Sequence, residues 1–211
     1  MQVTRFHRQV FTVSDVLNRD ECEEMIERTE RLGYEPAPIT TGRGFVMAPE
    51  VRSNTRVMLD DVARAQRLWQ RLGDRVPSGP SGWRAVGLNE RFRFYRYDVG
   101  ERFRWHYDGS FRRSPAECSL VTVMVYLNDG FDGGATEFDL GRELRVVPRR
   151  GTALVFDHPL RHQGAPVRRG RKYVMRTDVM YRRVAAAAAA DRDEPPVAAA
   201  GRRSTASTMS L

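Results

Sequence analysis

The chain has 211 residues, of which 41% are hydrophobic and 29% are charged, the balance of a globular protein with one substantial core. Its two cysteines, Cys22 and Cys118, are too few for a disulfide framework or for a zinc site made of cysteine alone. No apolar run approaches the ~20 residues that span a bilayer, and the first residues lack the layout of a secretory signal. We therefore expect a cytoplasmic protein that does not enter a membrane.

The formal net charge of +8 comes almost entirely from arginine, since Lys172 is the single lysine among 35 basic residues. The arginines are scattered and interleaved with acidic residues, whereas a surface that binds nucleic acid usually carries a basic stripe or cluster. Nucleic acid is therefore not an expected partner. The oligomeric state cannot be deduced from the sequence.

Two amphipathic helices are predicted in the N-terminal part. Asn18 is a helix N-cap with Glu21 as its reciprocal partner, and Gly33 supplies a left-handed stop after an apolar stripe. The second helix is expected from about Asp61 to Arg75. Between the helices, the segment Pro36 to Asn54 is rich in Gly, Pro and Thr and predicts a long mobile loop, which is a candidate lid over a substrate.

After Gly87 the hydrophobic period changes from that of a helix to the period of two that is typical of strands. Turn signals such as Asn128-Asp129-Gly130 separate the segments. The predicted strands are Arg91–Tyr97, Phe103–Asp108, Ser119–Leu127, Ala135–Phe138, Leu144–Val147, Thr152–Phe156 and Lys172–Tyr181. Many short strands without intervening helices predict a mainly β fold with flanking α, a jelly roll (double-stranded β-helix) preceded by two packing helices.

The composition changes abruptly near Ala185, where an alanine run gives way to Asp191-Arg192-Asp193-Glu194-Pro195-Pro196 and a Ser/Thr-rich end. Alanine favours helix, but no apolar stripe is present that could dock on the core. We therefore expect one domain over residues 1–184 and a disordered low-complexity tail over residues 185–211.

Three of the four histidines lie between positions 106 and 162. His106 and Asp108 are two residues apart on a predicted strand, so their side chains share one face, while Phe103, Trp105 and Tyr107 are expected on the other. A second histidine, His162, comes from a later strand. Two histidines and one carboxylate leave three coordination positions open, which suits non-haem iron(II) better than structural zinc.

A His-x-Asp triplet alone is a weak signal, but further motifs accompany it in order. They are Tyr97-Asp98-Val99-Gly100, His106-Tyr107-Asp108, Gly133-Gly134-Ala135-Thr136-Glu137-Phe138, and the stretch from His162-Gln163-Gly164-Ala165-Pro166-Val167 to Lys172-Tyr173. In these motifs the sequence resembles the prolyl 4-hydroxylase-like branch of the 2-oxoglutarate/iron(II) dioxygenases, over about residues 11–183.

The resemblance implies the site. His106, Asp108 and His162 match the iron ligands, Lys172 matches the residue that pairs with the distal carboxylate of 2-oxoglutarate, and Tyr97 matches a tyrosine of the co-substrate pocket. A buried carboxylate needs a cation in any case, which favours a role for Lys172. The implied cofactors are Fe(II), 2-oxoglutarate and O2, with ascorbate as an accompanying reductant.

Two assignments stay open at this stage. Arg176 shares the strand face of Lys172, so it competes with Lys172 as the anchor of the co-substrate, or it contacts a charged prime substrate. His158 lies four residues before His162 but has the wrong spacing to Lys172, and it is interpreted as a turn residue or a residue behind the ligands. His7 is interpreted as structural.

The implied activity is hydroxylation of a C–H bond in a peptide, with prolyl residues as a candidate, or in a small molecule, with release of succinate and CO2. Two alternatives share the fold: a non-catalytic jelly-roll binding module, and an oxygenase that repairs nucleic acid. The apolar residues Phe92, Phe94, Val123, Val125 and Phe156 are candidates for the dry packing around the metal.

Overall fold

The computed structural model describes residues 1–42 and 44–184, and the tail predicted over 185–211 lies outside the described residues. Two helices, α1 (Arg19–Leu32) and α2 (Val62–Leu72), lie in the N-terminal part, and α2 continues into a 3₁₀ turn at Gly73–Arg75. The strands of this part are β1 (Val3–His7), β2 (Val10–Val13), β3 (Glu35–Pro36), β4 (Ile39–Thr41), β5 (Gly44–Val46), β6 (Thr55–Asp60) and β7 (Trp83–Leu88).

Both helices begin and end as the local sequence predicts, with a small difference in α2. The Glu21 backbone N–H donates to Asn18 Oδ1 at 2.8 Å and the Asn18 N–H donates to the Glu21 carboxylate at 2.9 Å, which confirms the capping box. Gly33 follows α1 with φ +84°, a conformation that favours glycine. Asp61 caps α2 from outside the helix, so α2 starts at Val62. No helix within residues 1–42 and 44–184 could cross a membrane.

The remaining chain is almost entirely strand. Its elements are β8 (Arg91–Tyr97), β9 (Phe103–His106), β10 (Arg112–Ser114), β11 (Glu117–Tyr126), β12 (Asp132–Gly133), β13 (Thr136–Asp139), β14 (Glu143–Val146), β15 (Ala153–Asp157), β16 (His162–Gly164), β17 (Val167–Arg169) and β18 (Lys172–Arg183). All seven predicted strands are present, and their ends differ from the predicted ends by two residues at most.

The strands form two main sheets, which confirms the predicted jelly roll. The larger sheet has ten strands, with β1-β2-β15-β11-β18-β8-β6-β3 in order, β10 beside β11, and β7 beside β18. The smaller sheet has the order β14-β13-β16-β9. Two further pairs, β12 with β17 and β4 with β5, stand apart from the main sheets.

The two faces of the larger sheet carry different residues because side chains alternate along each strand. One face packs on α1 and α2, and Phe92, Phe94, Val123 and Val125 belong to this core together with Leu68 of α2. The other face looks toward the smaller sheet, and its buried residues include Tyr95, Tyr97, Tyr126, Phe156 and Val174. Of the five apolar residues proposed for the dry surroundings of the metal, only Phe156 is therefore on the correct face.

The segment Pro36 to Asn54, predicted as a loop, includes short strands. It contains the hairpin β4–β5, in which Ile39 pairs with Val46 and Thr41 with Gly44. Arg52 forms an isolated bridge with Phe103 of β9. Composition suggested a loop because the hairpin strands are only three residues long, below the length at which a period of two becomes visible.

Candidate metal and co-substrate site

The three predicted metal ligands meet between the two sheets. His106 ends β9, Asp108 follows two residues later, and His162 begins the neighbouring strand β16, where it pairs directly with His106. One ligand atom from each of the three residues lies within 4.8 Å of the others. The Nε2 atoms of His106 and His162 are 3.9 and 3.8 Å from the two carboxylate oxygens of Asp108.

Both imidazoles are held in the tautomer that leaves Nε2 free for a metal. The Nδ1 atom of His106 lies 2.7 Å from the Arg104 carbonyl oxygen, and the Nδ1 atom of His162 lies 2.9 Å from the Leu160 carbonyl oxygen. Because a carbonyl can only accept, each Nδ1 must donate its proton, and each Nε2 keeps a lone pair. Such backbone contacts are typical of metal-ligating histidines.

The protonation states also suit a metal. Burial lowers the pKa of His106 to about 3 and lowers that of His162, so both rings are neutral at pH 7. Burial alone would raise the pKa of Asp108, but the positive charge of Arg176 holds it below its ordinary value. The three residues thus offer two neutral nitrogens and one carboxylate, which are the forms that bind a metal.

The carboxylate of Asp108 is oriented by two residues behind it. Thr122 Oγ1 donates to Oδ2 at 2.6 Å, and Arg176 Nη1 lies 2.9 Å from Oδ1. Arg176 also contacts Asp178 through Nη2 at 3.1 Å, so its guanidinium bridges two buried carboxylates. Sequence reasoning did not find Thr122, although one polar residue within the apolar run of β11 was a signal.

Lys172 is buried in the same cavity. Only 2% of its surface is exposed, and its Nζ donates to the Gly134 carbonyl oxygen at 2.6 Å. No carboxylate in the described part of the chain lies within ion-pair distance of it, and burial lowers its pKa to about 7. A buried ammonium group without a counter-ion is costly, so the position fits a bound carboxylate.

The predicted pocket tyrosine lies beside this lysine. Tyr97 of β8 pairs directly with Lys172 of β18, and the ammonium nitrogen is 5.0 Å from the centre of the Tyr97 ring. Tyr97, Lys172, Arg176 and the three candidate ligands all line one cavity. The structure thus brings every predicted site residue together. Arg176 sits against Asp108, whereas Lys172 has no carboxylate partner among the described residues.

One expectation about β9 is wrong. Simple alternation placed Phe103 on the face opposite His106, but the two rings stack with centroids 3.5 Å apart. The pairing explains the difference, because His162 and Gly164 of β16 oppose His106 and Phe103, which are three residues apart. The extra residue in β9 is a bulge that shifts the alternation and turns Phe103 toward the site. Tyr107 is 63% exposed.

The other histidines lie outside the candidate ligand set. His158 is buried, with Nε2 3.4 Å from Asp178 and Nδ1 3.4 Å from Ser110 Oγ. It therefore lies behind Arg176 and Asp178, in agreement with its interpretation as a residue behind the ligands. His7 lies on β1, and its Nδ1 accepts from the backbone N–H of Gln9 at 3.3 Å.

Comparison with known proteins gives a consistent picture. Residues 92–177 match the profile of the 2OG-Fe(II) oxygenase superfamily. The chain is 22% identical over 205 residues to the probable prolyl 4-hydroxylase 8 of Arabidopsis thaliana, with 82% of this chain and 69% of that protein covered. It is 23% identical over 207 residues to prolyl 4-hydroxylase 5 of the same plant, with 82% and 68% covered.

Solved structures share the fold at low sequence identity. A prolyl-4-hydroxylase of Pseudomonas putida aligns with a TM-score of 0.60 at 18% identity, covering 83% of this chain and 93% of that one. The collagen prolyl hydroxylase of Paramecium Bursaria Chlorella virus-1, in its 2OG complex, gives 0.57 at 19%, with 82% and 96% covered. A Trichoplax adhaerens prolyl hydroxylase bound to a hypoxia inducible factor peptide gives 0.62 at 15%, with 81% and 83% covered. The predicted resemblance is confirmed.

Proposed function

We propose that this chain, a 2-oxoglutarate-dependent oxygenase, hydroxylates a C–H bond of a peptide, prolyl residues being the first candidates, or of a small molecule, and releases succinate and CO2. One observation carries the proposal: His106, Asp108 and His162 converge within 4.8 Å in a cavity that also holds the unneutralised ammonium of Lys172. A metal site and a carboxylate anchor in one cavity are the two requirements for chelating a 2-oxo diacid.

Iron(II) fits the three ligands by the chemistry of the donor set. Two imidazole nitrogens and one carboxylate oxygen form the facial set that leaves coordination positions for co-substrate and oxygen. When bound, iron(II) and 2-oxoglutarate would activate O2, which is the oxidant for both the C–H bond and the 2-oxoglutarate. We assign the distal carboxylate of the co-substrate to Lys172, with Tyr97 beside it, because the charge of Arg176 is already shared by two aspartates. The accompanying reductant, for which ascorbate is a candidate, stays a prediction, as does a cytoplasmic location.

The protein's own contribution is positioning and the exclusion of water. The two carbonyl-bound imidazoles cannot rotate without losing a hydrogen bond, and Thr122 and Arg176 hold both oxygens of Asp108. Phe103 stacks on His106, while Phe156 packs edge-on against His162 at a centroid distance of 4.6 Å. These rings shield the ligands from solvent, which limits side reactions of the reactive centre with water.

A peptide is favoured as the substrate by the relatives and by the hairpin near the site. The curated relatives are prolyl 4-hydroxylases, and one related structure holds a peptide. In this chain, Phe45 and Val46 of β5 and the following Met47 are exposed by 44 to 73%. The Phe45 ring centre lies 6.0 Å from the guanidinium carbon of Arg56, on the sheet beside the site. An apolar surface of this kind suits a peptide laid along it.

The test is succinate formation from 2-oxoglutarate by anaerobically iron-loaded protein that is then exposed to air. Uncoupled turnover needs no knowledge of the prime substrate. We expect His106→Ala to abolish turnover and iron binding, and Lys172→Ala to retain iron binding but to require much more 2-oxoglutarate. The matched control is His7→Ala, which removes a histidine outside the site and should leave turnover unchanged.

Two outcomes would decide against the proposal. If the protein binds neither iron nor 2-oxoglutarate, the non-catalytic binding module takes its place. If turnover is stimulated by methylated single-stranded DNA and by no peptide or small molecule, the nucleic-acid repair alternative is correct.

A further inference from the structure

A cluster of arginines lies around Tyr95, and Tyr95 itself lines the site cavity. Arg56 of β6 pairs directly with Tyr95 of β8, so the two side chains share the face that looks toward the metal site. Arg93 lies two residues before Tyr95 on the same face. The guanidinium carbon of Arg52 lies 4.7 Å from the centre of the Tyr95 ring and 4.4 Å from that of Phe103. We call Arg52, Arg56 and Arg93 the arginine cluster.

Arg52 has an unsatisfied donor in a buried position. It is 7% exposed, its Nε donates to Asn54 Oδ1 at 2.9 Å, and its Nη1 donates to the Pro38 carbonyl oxygen at 3.3 Å. Its Nη2 is buried and has no hydrogen-bond partner among the described residues. A buried charged donor without a partner is destabilising, so its presence in a native protein calls for a partner such as a ligand, an ion or a water.

The carboxylates near the cluster do not neutralise it. Arg93 pairs with Asp178 at 3.3 Å, but Asp178 is shared with Arg176. Within residues 1–42 and 44–184, neither Arg52 nor Arg56 forms an ion pair, and Glu35, which pairs with Arg56 across the strands, is beyond ion-pair distance.

The positive electrostatic potential of these arginines affects the hydroxyl group of Tyr95. Burial alone would raise the pKa of this hydroxyl, yet the charges of Arg52, Arg176 and Arg93 lower it. Without neighbouring charges, burial would raise the pKa of Tyr95 instead. This side of the cavity therefore has an excess of positive charge.

We propose that the arginine cluster is a substrate subsite that binds a carboxylate of the prime substrate, so that the substrate is an acidic peptide or a small acidic molecule. The inference rests on the proposed function, whose substrate class it narrows. Arginine forks match carboxylates in bidentate geometry, and the low exposure of Arg52 strengthens such a pair. The cluster is distinct from Lys172, which lies on β18 and pairs with Tyr97 of β8, two residues beyond Tyr95.

The experiment measures binding to the full chain in its anaerobic complex with iron(II) and 2-oxoglutarate. Calorimetric titrations compare Gly-Glu-Pro-Glu-Gly with Gly-Gln-Pro-Gln-Gly, both capped at their ends, and N-acetyl-glutamate with N-acetyl-glutamine. We expect the acidic member of at least one pair to bind tenfold or more tightly than its neutral isostere. The peptide pair and the amino-acid pair distinguish the two sources of the carboxylate.

Variants assign the preference to the cluster. Arg56→Gln and Arg93→Gln, both at partly exposed positions, should each reduce the acidic preference to threefold or less, whereas the buried Arg52→Gln is avoided because it risks misfolding. Arg67→Gln removes the same charge from the exposed side of α2, which covers the opposite face of the sheet, and should retain the preference.

Several results would overturn the inference: equal binding within both pairs, no binding of any probe at millimolar concentration, or a preference that survives in both cluster variants. Tighter binding of a phosphoserine peptide than of the glutamate peptide would overturn the carboxylate assignment. Formation of the iron–2-oxoglutarate complex is verified first, so a failure of the subsite is separate from a failure of the proposed function.

Discussion

The affinity of the protein for 2-oxoglutarate should depend on pH through Lys172. Burial lowers the pKa of its ammonium group to about 7, and no acidic side chain of the described residues offsets this effect. The proposed partner is a carboxylate, which favours the protonated lysine. Binding must therefore take up a proton at any pH above 7, whereas below pH 7 the ammonium group is already formed.

The size of the effect follows from this pKa. The fraction of protonated Lys172 in the protein without co-substrate is about 0.9 at pH 6 and about 0.1 at pH 8, because each pH unit beyond the pKa reduces it tenfold. The Kd for 2-oxoglutarate should thus rise about tenfold from pH 6 to pH 8, a loss of roughly 1.4 kcal/mol. In Lys172→Arg the charge persists over this range, and the pH dependence should disappear even if the affinity is lower.

The assay is an anaerobic titration of iron-loaded protein with 2-oxoglutarate, followed by the visible absorbance of the chelate. His106 and His162 have lowered pKa values and stay neutral between pH 6 and 8, so they add little to the slope. A Kd that is constant over this range in the wild type would refute the reasoning. An equal slope in wild type and Lys172→Arg would show that another group is responsible.

Three further substitutions test the surroundings of the site. Thr122→Val removes the 2.6 Å hydrogen bond to Asp108 and should weaken iron binding about 10- to 100-fold, measured by competition with a chelator. Gly134→Ala places a Cβ 3.0 Å from Cδ of Lys172 at a backbone φ of +62°, so the KM for 2-oxoglutarate should rise more than kcat falls. Lys172→Met removes a buried charge and should stabilise the protein without co-substrate by about 1–4 kcal/mol at pH 6, measured by denaturant unfolding, while it abolishes 2-oxoglutarate binding.

Much of the fold could be predicted because the signals are local. The capping box of α1 involves residues only three positions apart, and the period of two in β8 and β18 depends on neighbouring side chains. Tyr97 and Lys172 are directly paired in the structure, but their pairing across 75 positions could not be deduced from either strand alone. The prediction placed Tyr97 and Lys172 in one site because of the resemblance, which rests on the order of the motifs.

The failures have a different origin, because each depends on how distant strands pair. Phe103 faces His106 owing to a bulge that exists only in the β9–β16 pair. The contacts of Arg176, whose role stayed open, could not be predicted either, because Asp178 shares its strand face and Asp108 arrives from the other sheet. Neither contact can be recognised from the sequence of a single strand.

The balance of charge explains why the site should discriminate among prime substrates. With neutral histidines, the charges of the other groups sum to zero. Lys172 and Arg176 together balance Asp108 and Asp178, and iron(II) would balance the two carboxylates of the co-substrate. The charge that remains is that of the arginine cluster, and its buried member Arg52 is poorly screened by solvent. A neutral substrate would leave the arginine cluster desolvated and unpaired, whereas an acidic substrate would supply the missing carboxylate. Selectivity should therefore come as much from the free-energy cost of binding the wrong substrate as from contacts with the right one.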